Sequence, residues 1–276
     1  MDAREPELPP SLPVPAVDSH GHLSDPRLAP RAAHLVARAR AAGVAYILDP
    51  GVDLASSERA LGHAHQFGDA VRAAVGVHPH EAAVTTDADW QRLEALAADP
   101  LCVAIGEVGL DAYRVLSPPE VQEAALERSL DLARRLRKPV LLHVRDAFAQ
   151  ALRRIDAAGG PLTGVVHAFW GDLDTAFQFV ERGFRIGAGG ALTFRREGDL
   201  RATLAALPAD TILLETDSPY LTPEPLRGRP NEPAFVAHIA RRLAEVRGQS
   251  VAALVTETTR SVSQLLEWPD LRGPTA

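Results

Sequence analysis

The chain holds 276 residues, 46% of them hydrophobic but only 5% aromatic, and carries a formal net charge of −7. So much aliphatic material suits strands and helices packed in layers, as one large domain or two small ones. The acidic balance disfavours extended, sequence-independent gripping of duplex nucleic acid, which takes a basic surplus, but leaves room for a local basic pocket.

In chain order, residues 1–15 carry five prolines and no apolar segment of the kind a secretion signal needs, so a disordered extension is expected there. An apolar run then reaches Val17-Asp18-Ser19-His20-Gly21-His22-Leu23. On a strand, positions i and i+2 face one side, so His20 and His22 aim both imidazoles at one point and make half a metal site. Asp18 shares their parity one pleat below, where it either holds a ring nitrogen or fills the layer beneath. The spacing alone is a weak signal, because His63/His65 and His78/His80 repeat it.

Pro30–Ala42 reads as a helix closed by Gly43, Val44–Leu48 as a strand and Leu54–Phe67 as a helix. On that helix His63 and His65 face different ways and are expected to be exposed and inert. Val71–Val77 is strand-like and ends in Gly76-Val77-His78-Pro79-His80. Ala88–Ala98 is helical, and Leu101–Val108 is a buried strand running into Gly109-Leu110-Asp111. It contains Cys102, the chain's one cysteine, which excludes an internal disulfide and fits a reducing cytoplasm. Next come the helix Pro119–Arg137, the strand Pro139–Val144, the helix Ala147–Ala158 and the strand Gly164–Phe169. The helix Asp172–Arg182, strand Phe184–Gly187, helix Asp199–Leu207 and strand Thr211–Thr216 follow. Two amphipathic helices, about Glu232–Arg247 and Ser250–Leu266, and a tail over 269–276 finish the chain. No stretch approaches the ~20 apolar residues of a membrane helix.

Eight short, continuously apolar strands separated by helices imply a parallel sheet covered on both faces. At this length a single α/β domain, a (β/α)8 TIM barrel over 16–268, fits best; an open doubly wound sheet is the other arrangement, without its glycine-rich nucleotide turn. In such barrels chemistry sits at the C-terminal strand ends. There stand His20 and His22 after strand 1, His78 after strand 3, Glu107 in strand 4, His143 in strand 5, His167 in strand 6 and Asp217 after strand 8. Four imidazoles and two carboxylates (His20, His22, His143, His167, Glu107, Asp217) exceed one tetrahedral zinc and suit two divalent ions, with Glu107 as the bridge.

The stretches DSHGHL (18–23), GVHPH (76–80), AIGEVGLDAY (104–113), PVLLHVRDA (139–147), GVVHAFWG (164–171) and LLETDSPYLTPEPLRGRPNEP (213–233) resemble those of the TatD family of metal-dependent deoxyribonucleases, a group of amidohydrolase-like barrel hydrolases. The likeness runs from about Val17 to Trp268. It implies one cation held by His20, His22, Glu107 and Asp217, and a second by Glu107, His143 and His167, the ions being Mg, Mn or Zn. Gly21, Ala112, Ala168, Trp170 and Ser261 depart from the family's usual residues; none is a ligand position.

The expected activity is that of a cytoplasmic metal-dependent nuclease acting on single-stranded DNA or strand ends, with RNA as a further substrate, as a 3′-5′ exonuclease. Glu107 and Asp217 form the catalytic pair, Asp217 taking a proton from water. Glu215, one pleat deeper, either orients a ligand imidazole or packs. Arg145 either grips a substrate phosphate or pairs with Asp146 or a neighbour of Glu107. His78 lines the pocket as a phosphate donor. Trp170 either stacks a terminal base or plugs the barrel mouth. Arg227, Arg229 and Asn231 hold either substrate or rim. A metal-dependent ester or amide hydrolase, such as a D-aminoacyl-tRNA deacylase, is the alternative activity, and an inactive scaffold is a third.

Overall fold

The computed structural model describes residues 5–268. Its strands are β1 (Ala16–Asp18), β2 (Val44–Pro50), β3 (Val71–Val75), β4 (Cys102–Asp111), β5 (Val140–Arg145), β6 (Gly164–Val166), β7 (Phe184–Ala188) and β8 (Ile212–Leu214), each parallel to the next in that order. Between them run α1 (Ala32–Ala41), α2 (Leu54–Phe67), α3 (Asp87–Ala97), α4 (Pro119–Leu136), α5 (Phe148–Ala158), α6 (Leu173–Glu181) and α7 (Gly198–Ala206). Then α8 (Val236–Arg247) and α9 (Val251–Leu266) complete the shell. This is the expected (β/α)8 barrel.

Local chemistry sets the helix starts. Asp53 accepts the Ser56 N–H at 2.7 Å ahead of α2, and Thr86 and Asp89 cap each other ahead of α3. Two apolar layers hold the molecule. Inside the barrel, Val17, Leu48, Ala74, Ala104, Leu141, Val165 and Leu213 fill the lumen, and Val262, Leu265 and Leu266 of α9, with Trp268 just beyond it, close its lower end. Outside it, the apolar faces of α1 to α8 pack on the sheet in one continuous cluster that α9 joins through Leu254 and Val255. Each fully buried aliphatic side chain contributes roughly 1.5–3 kcal/mol, which is why short strands suffice.

The ring closes at its upper rim. Beyond the ends of β8 and β1, Ser19 N–H donates to Leu214 O at 2.9 Å, Asp217 N–H to His20 O at 2.7 Å and His22 N–H to Ser218 O at 2.9 Å. The barrel therefore seals through the residues that line its mouth.

The structure departs from three expectations. β1 stops at Asp18, so His20 and His22 lie on the turn after the strand rather than on it. His63 is not inert: its Nδ1 sits 2.8 Å from Oδ2 of fully buried Asp49, a contact decided by packing rather than by helix phase, while His65 is exposed and meets Asp99 at 3.0 Å. Residues 5–15 are not loose: Leu12 is buried and donates to Ala42 O at 2.9 Å, Arg241 donates to Pro10 O at 2.7 Å, and Glu5 meets His34 at 2.9 Å. Proline composition hid the anchoring leucine and the cations of α1 and α8. The tail 269–276 and residues 1–4 lie outside the described residues. Among the described residues no helix is long and apolar enough to cross a membrane.

Candidate metal centre

Six predicted side chains meet at the C-terminal mouth. Glu107 stands at their centre with its two oxygens turned to different pairs. Oε2 lies 3.2 Å from His20 Nε2 and 3.3 Å from His22 Nε2, while Oε1 lies 2.9 Å from His143 Nδ1 and 2.8 Å from His167 Nε2. Asp217 Oδ1 is 3.5 Å from His22 Nε2 and 4.0 Å from His20 Nε2. Asp217 has φ 54°, in the left-handed region that costs a side-chain-bearing residue energy, and its N–H bond to His20 holds it there. Gly109 (φ 151°) lets β4 approach β5 at this level, because a Cβ there would meet His143 O at 1.8 Å.

Hydrogen bonds behind the rings set which nitrogens face the centre. His22 Nδ1 lies 3.1 Å from Pro50 O, a pure acceptor, so Nδ1 carries the proton and Nε2 turns a lone pair inward. His143 Nε2 lies 3.4 Å from Asp111 Oδ2, which leaves Nδ1 facing Glu107. His78 is the opposite case. Its Nδ1 accepts the His80 N–H at 3.1 Å, so Nε2 is the protonated nitrogen and donates toward Glu107 Oε1 at 3.4 Å. With that proton in place His78 is a donor to Glu107, although His78, Glu107 and His143 also bring ligand atoms within 4.8 Å of one another.

Ring nitrogens also face each other, His20 Nε2 to His22 Nε2 at 3.1 Å and His143 Nδ1 to His167 Nε2 at 3.1 Å. Lone pairs converging on a shared carboxylate are the donor chemistry that suits divalent cations, and four nitrogens with two carboxylates exceed one tetrahedral ion. Burial opposes ionisation of Glu107, but His167 and His78 outweigh it and hold its carboxyl well below the usual range. Burial likewise opposes charge on His22 and His167, yet Asp217 and Glu107 raise the first, and Glu107 lifts the second to about 9. Burial and the neighbouring His167 push His20 down to about 3.

Beneath this layer lie two more carboxyls. Asp18 accepts the Thr216 N–H at 2.8 Å and its hydroxyl at 2.6 Å, so it ties the β8 end to β1 rather than holding an imidazole; burial pushes it up to about 7. Glu215 is fully buried, accepts the Ala168 N–H, and is pushed by burial up to about 8. One of its oxygens lies within 4.8 Å of a nitrogen of His20 and of His167. Gly187 makes room for it, since a Cβ there would meet the carboxylate at 2.5 Å.

The centre opens into a cavity of about 870 Å³ lined by His78, Arg145 and Trp170 among others. Arg145 has no carboxylate within ion-pair distance among the described residues; its guanidinium lies 4.0 Å from the Tyr113 ring centre. Trp170 is 46% exposed, with its indole N–H donating to Glu197 at 2.8 Å, so it stands at the mouth without being buried under a loop. Asn231 donates to Thr216 O at 2.8 Å and belongs to the rim.

Asp111 escaped the sequence reading. It is buried at the end of β4, where Oδ2 meets His80 Nε2 at 2.8 Å and His143 Nε2 at 3.4 Å; hydrogen bonds from His143 and Arg114 outweigh burial and hold its carboxyl far down. Its parity with Glu107, four residues earlier on the same strand, was the available signal.

A model of the TatD-related DNase family matches residues 17–267. The chain belongs to that family. Similar members include the "3′-5′ ssDNA/RNA exonuclease TatD" of Cronobacter sakazakii, 42% identical over 84% of this chain and 90% of that protein. The "uncharacterized metal-dependent hydrolase TatD" of Mycobacterium tuberculosis is 38% identical over 88% of this chain and 96% of its own. Among solved structures, a TatD homologue from Escherichia coli K12 superposes with a TM-score of 0.86 at 29% identity, over 91% of this chain and 98% of that one.

Proposed function

We propose that this TatD-family chain is a divalent-metal-dependent 3′-5′ exonuclease that hydrolyses phosphodiester bonds at the ends of single-stranded DNA or RNA, in the cytoplasm, with residues 16–268 as its single catalytic domain. The observation that carries this reading is the division of Glu107, one oxygen to each pair of imidazoles. His20, His22, Glu107 and Asp217 would hold one cation, and Glu107, His143 and His167 the second. Bound there, Mg²⁺, Mn²⁺ or Zn²⁺ supplies Lewis acidity toward a phosphoryl oxygen and brings the pKa of a water toward neutrality.

The chain's own groups do the rest. Asp217 accepts a proton from the attacking water as general base. His78, with its proton fixed on Nε2, donates to Glu107 Oε1 and holds that carboxylate oriented at the wall of the substrate cavity. Arg145 offers an unpaired guanidinium to a substrate phosphate. Glu215 holds the Ala168 N–H and so the turn that carries His167. Trp170 stacks the terminal base. The test is incubation of the purified protein with 5′-labelled single strands of DNA and RNA under Mg²⁺, Mn²⁺ or Zn²⁺, and with chelator. The expected result is a ladder shortening from the 3′ end and abolished by chelation. Intact strands alongside hydrolysis of aminoacyl-tRNA would instead favour the acyl-ester activity.

A further inference from the structure

Resting on the nuclease reading above, we infer that Tyr113, Arg145 and Arg114 form a second nucleotide subsite, which takes the penultimate base and its phosphate beside the metal centre. All three line the cavity. Tyr113 is 62% exposed, yet its backbone is not loose: Asp111 Oδ1 accepts the N–H of Tyr113 at 2.9 Å and of Arg114 at 2.7 Å. Further along, Ser117 is buried, donates to His80 O at 3.0 Å and accepts the Ala83 N–H at 3.1 Å. A phenol ring thus stands in water on an anchored loop. Register explains its partner. Asp111 and Arg145 are direct neighbours across β4 and β5, so the residue two beyond Asp111 meets the guanidinium, 4.0 Å from the ring centre.

Charge points to the occupant. In this acidic chain Arg27, Arg38, Arg92, Arg128 and Arg154 are matched by carboxylates, but among the described residues the cavity-lining Arg59, Arg114 and Arg145 have none, and of these Arg114 and Arg145 stand next to or against Tyr113. A flat cationic plate with a second free guanidinium beside it matches a base and its phosphate, because bases stack on aromatic and guanidinium planes whatever their sequence. The side chains also connect to the chemistry: Asp111 holds this loop through Oδ1 and His143 through Oδ2.

The experiment compares wild type, Tyr113→Ala, Tyr113→Phe and Arg114→Gln on 5′-labelled dT2 and dT4 and on thymidine 5′-(methyl phosphate), a mononucleotide ester whose leaving group has no ring to stack, with Mn²⁺ present. Tyr113→Ala is expected to raise KM for dT4 by roughly 5- to 100-fold, as loss of one stacked base implies, with little change in kcat. Tyr113→Phe should retain wild-type KM, Arg114→Gln should weaken dT4, and the mononucleotide ester should be cleaved by Tyr113→Ala as by wild type. Equal kinetics of Tyr113→Ala and wild type on dT4, or an equal loss on the mononucleotide ester, overturns the subsite while leaving the nuclease reading intact. No phosphodiester turnover by wild type on any of the three overturns both.

Discussion

Asp111 makes one carboxylate serve two neighbours, and its replacement separates their roles from bulk stability. In Asp111→Ala the His143 ring loses the acceptor that fixes its proton on Nε2, so metal affinity should fall about 10- to 100-fold, read by calorimetric titration, with the far-ultraviolet spectrum unchanged. Proton competition gives a second outcome. The elevated His22 and His167 imidazoles, the latter at about 9, must give up protons to act as ligands, so cation affinity should climb as pH rises toward 9. Below that value the gain is about tenfold per unit for each proton displaced; a flat profile from pH 6 to 9 would contradict it. At this scale the six central residues were legible because each ends an apolar run. His63 was misread because its partner Asp49 lies on another element, and the Arg145–Tyr113 pair was invisible because it depends on register between two strands.

Strand ends and helix α9 divide the labour between site and stability. β4 and β5 carry Glu107 and His143 within them, but other strands stop short of their ligands: β6 ends at Val166 and β8 at Leu214, and the turns that follow place Ala168 and Asp217 at positive φ. Apolar runs in the sequence extended those strands too far, since a buried turn is as apolar as a strand. Just past α9, at the opposite end, Trp268 is 1% exposed, with its ring centre 5.5 Å from that of Tyr46. Trp268→Ala should cost about 3–5 kcal/mol in urea unfolding by leaving a cavity under the barrel, while kcat stays near wild type. A loss of activity without a loss of stability would place α9 in the wrong role.

For the whole molecule, the surplus of negative charge limits how much nucleic acid can be gripped. With two phosphates met by Arg114 and Arg145, log affinity for a single strand should fall with log salt at a slope of about −1.4, near −0.7 per phosphate contact. A slope several times steeper would reveal a groove elsewhere. The (β/α)8 order was readable from the alternation of apolar runs with amphipathic ones. Closure of the ring through Ser19, Asp217 and His22 was not, because those bonds join residues almost 200 positions apart. The most direct test is metal content. Wild-type protein loaded with Mn²⁺ or Zn²⁺ and desalted should carry two ions per chain by elemental analysis, and Glu107→Gln should lose both together. A single ion in wild type, or full occupancy in Glu107→Gln, would contradict a centre bridged by that carboxylate.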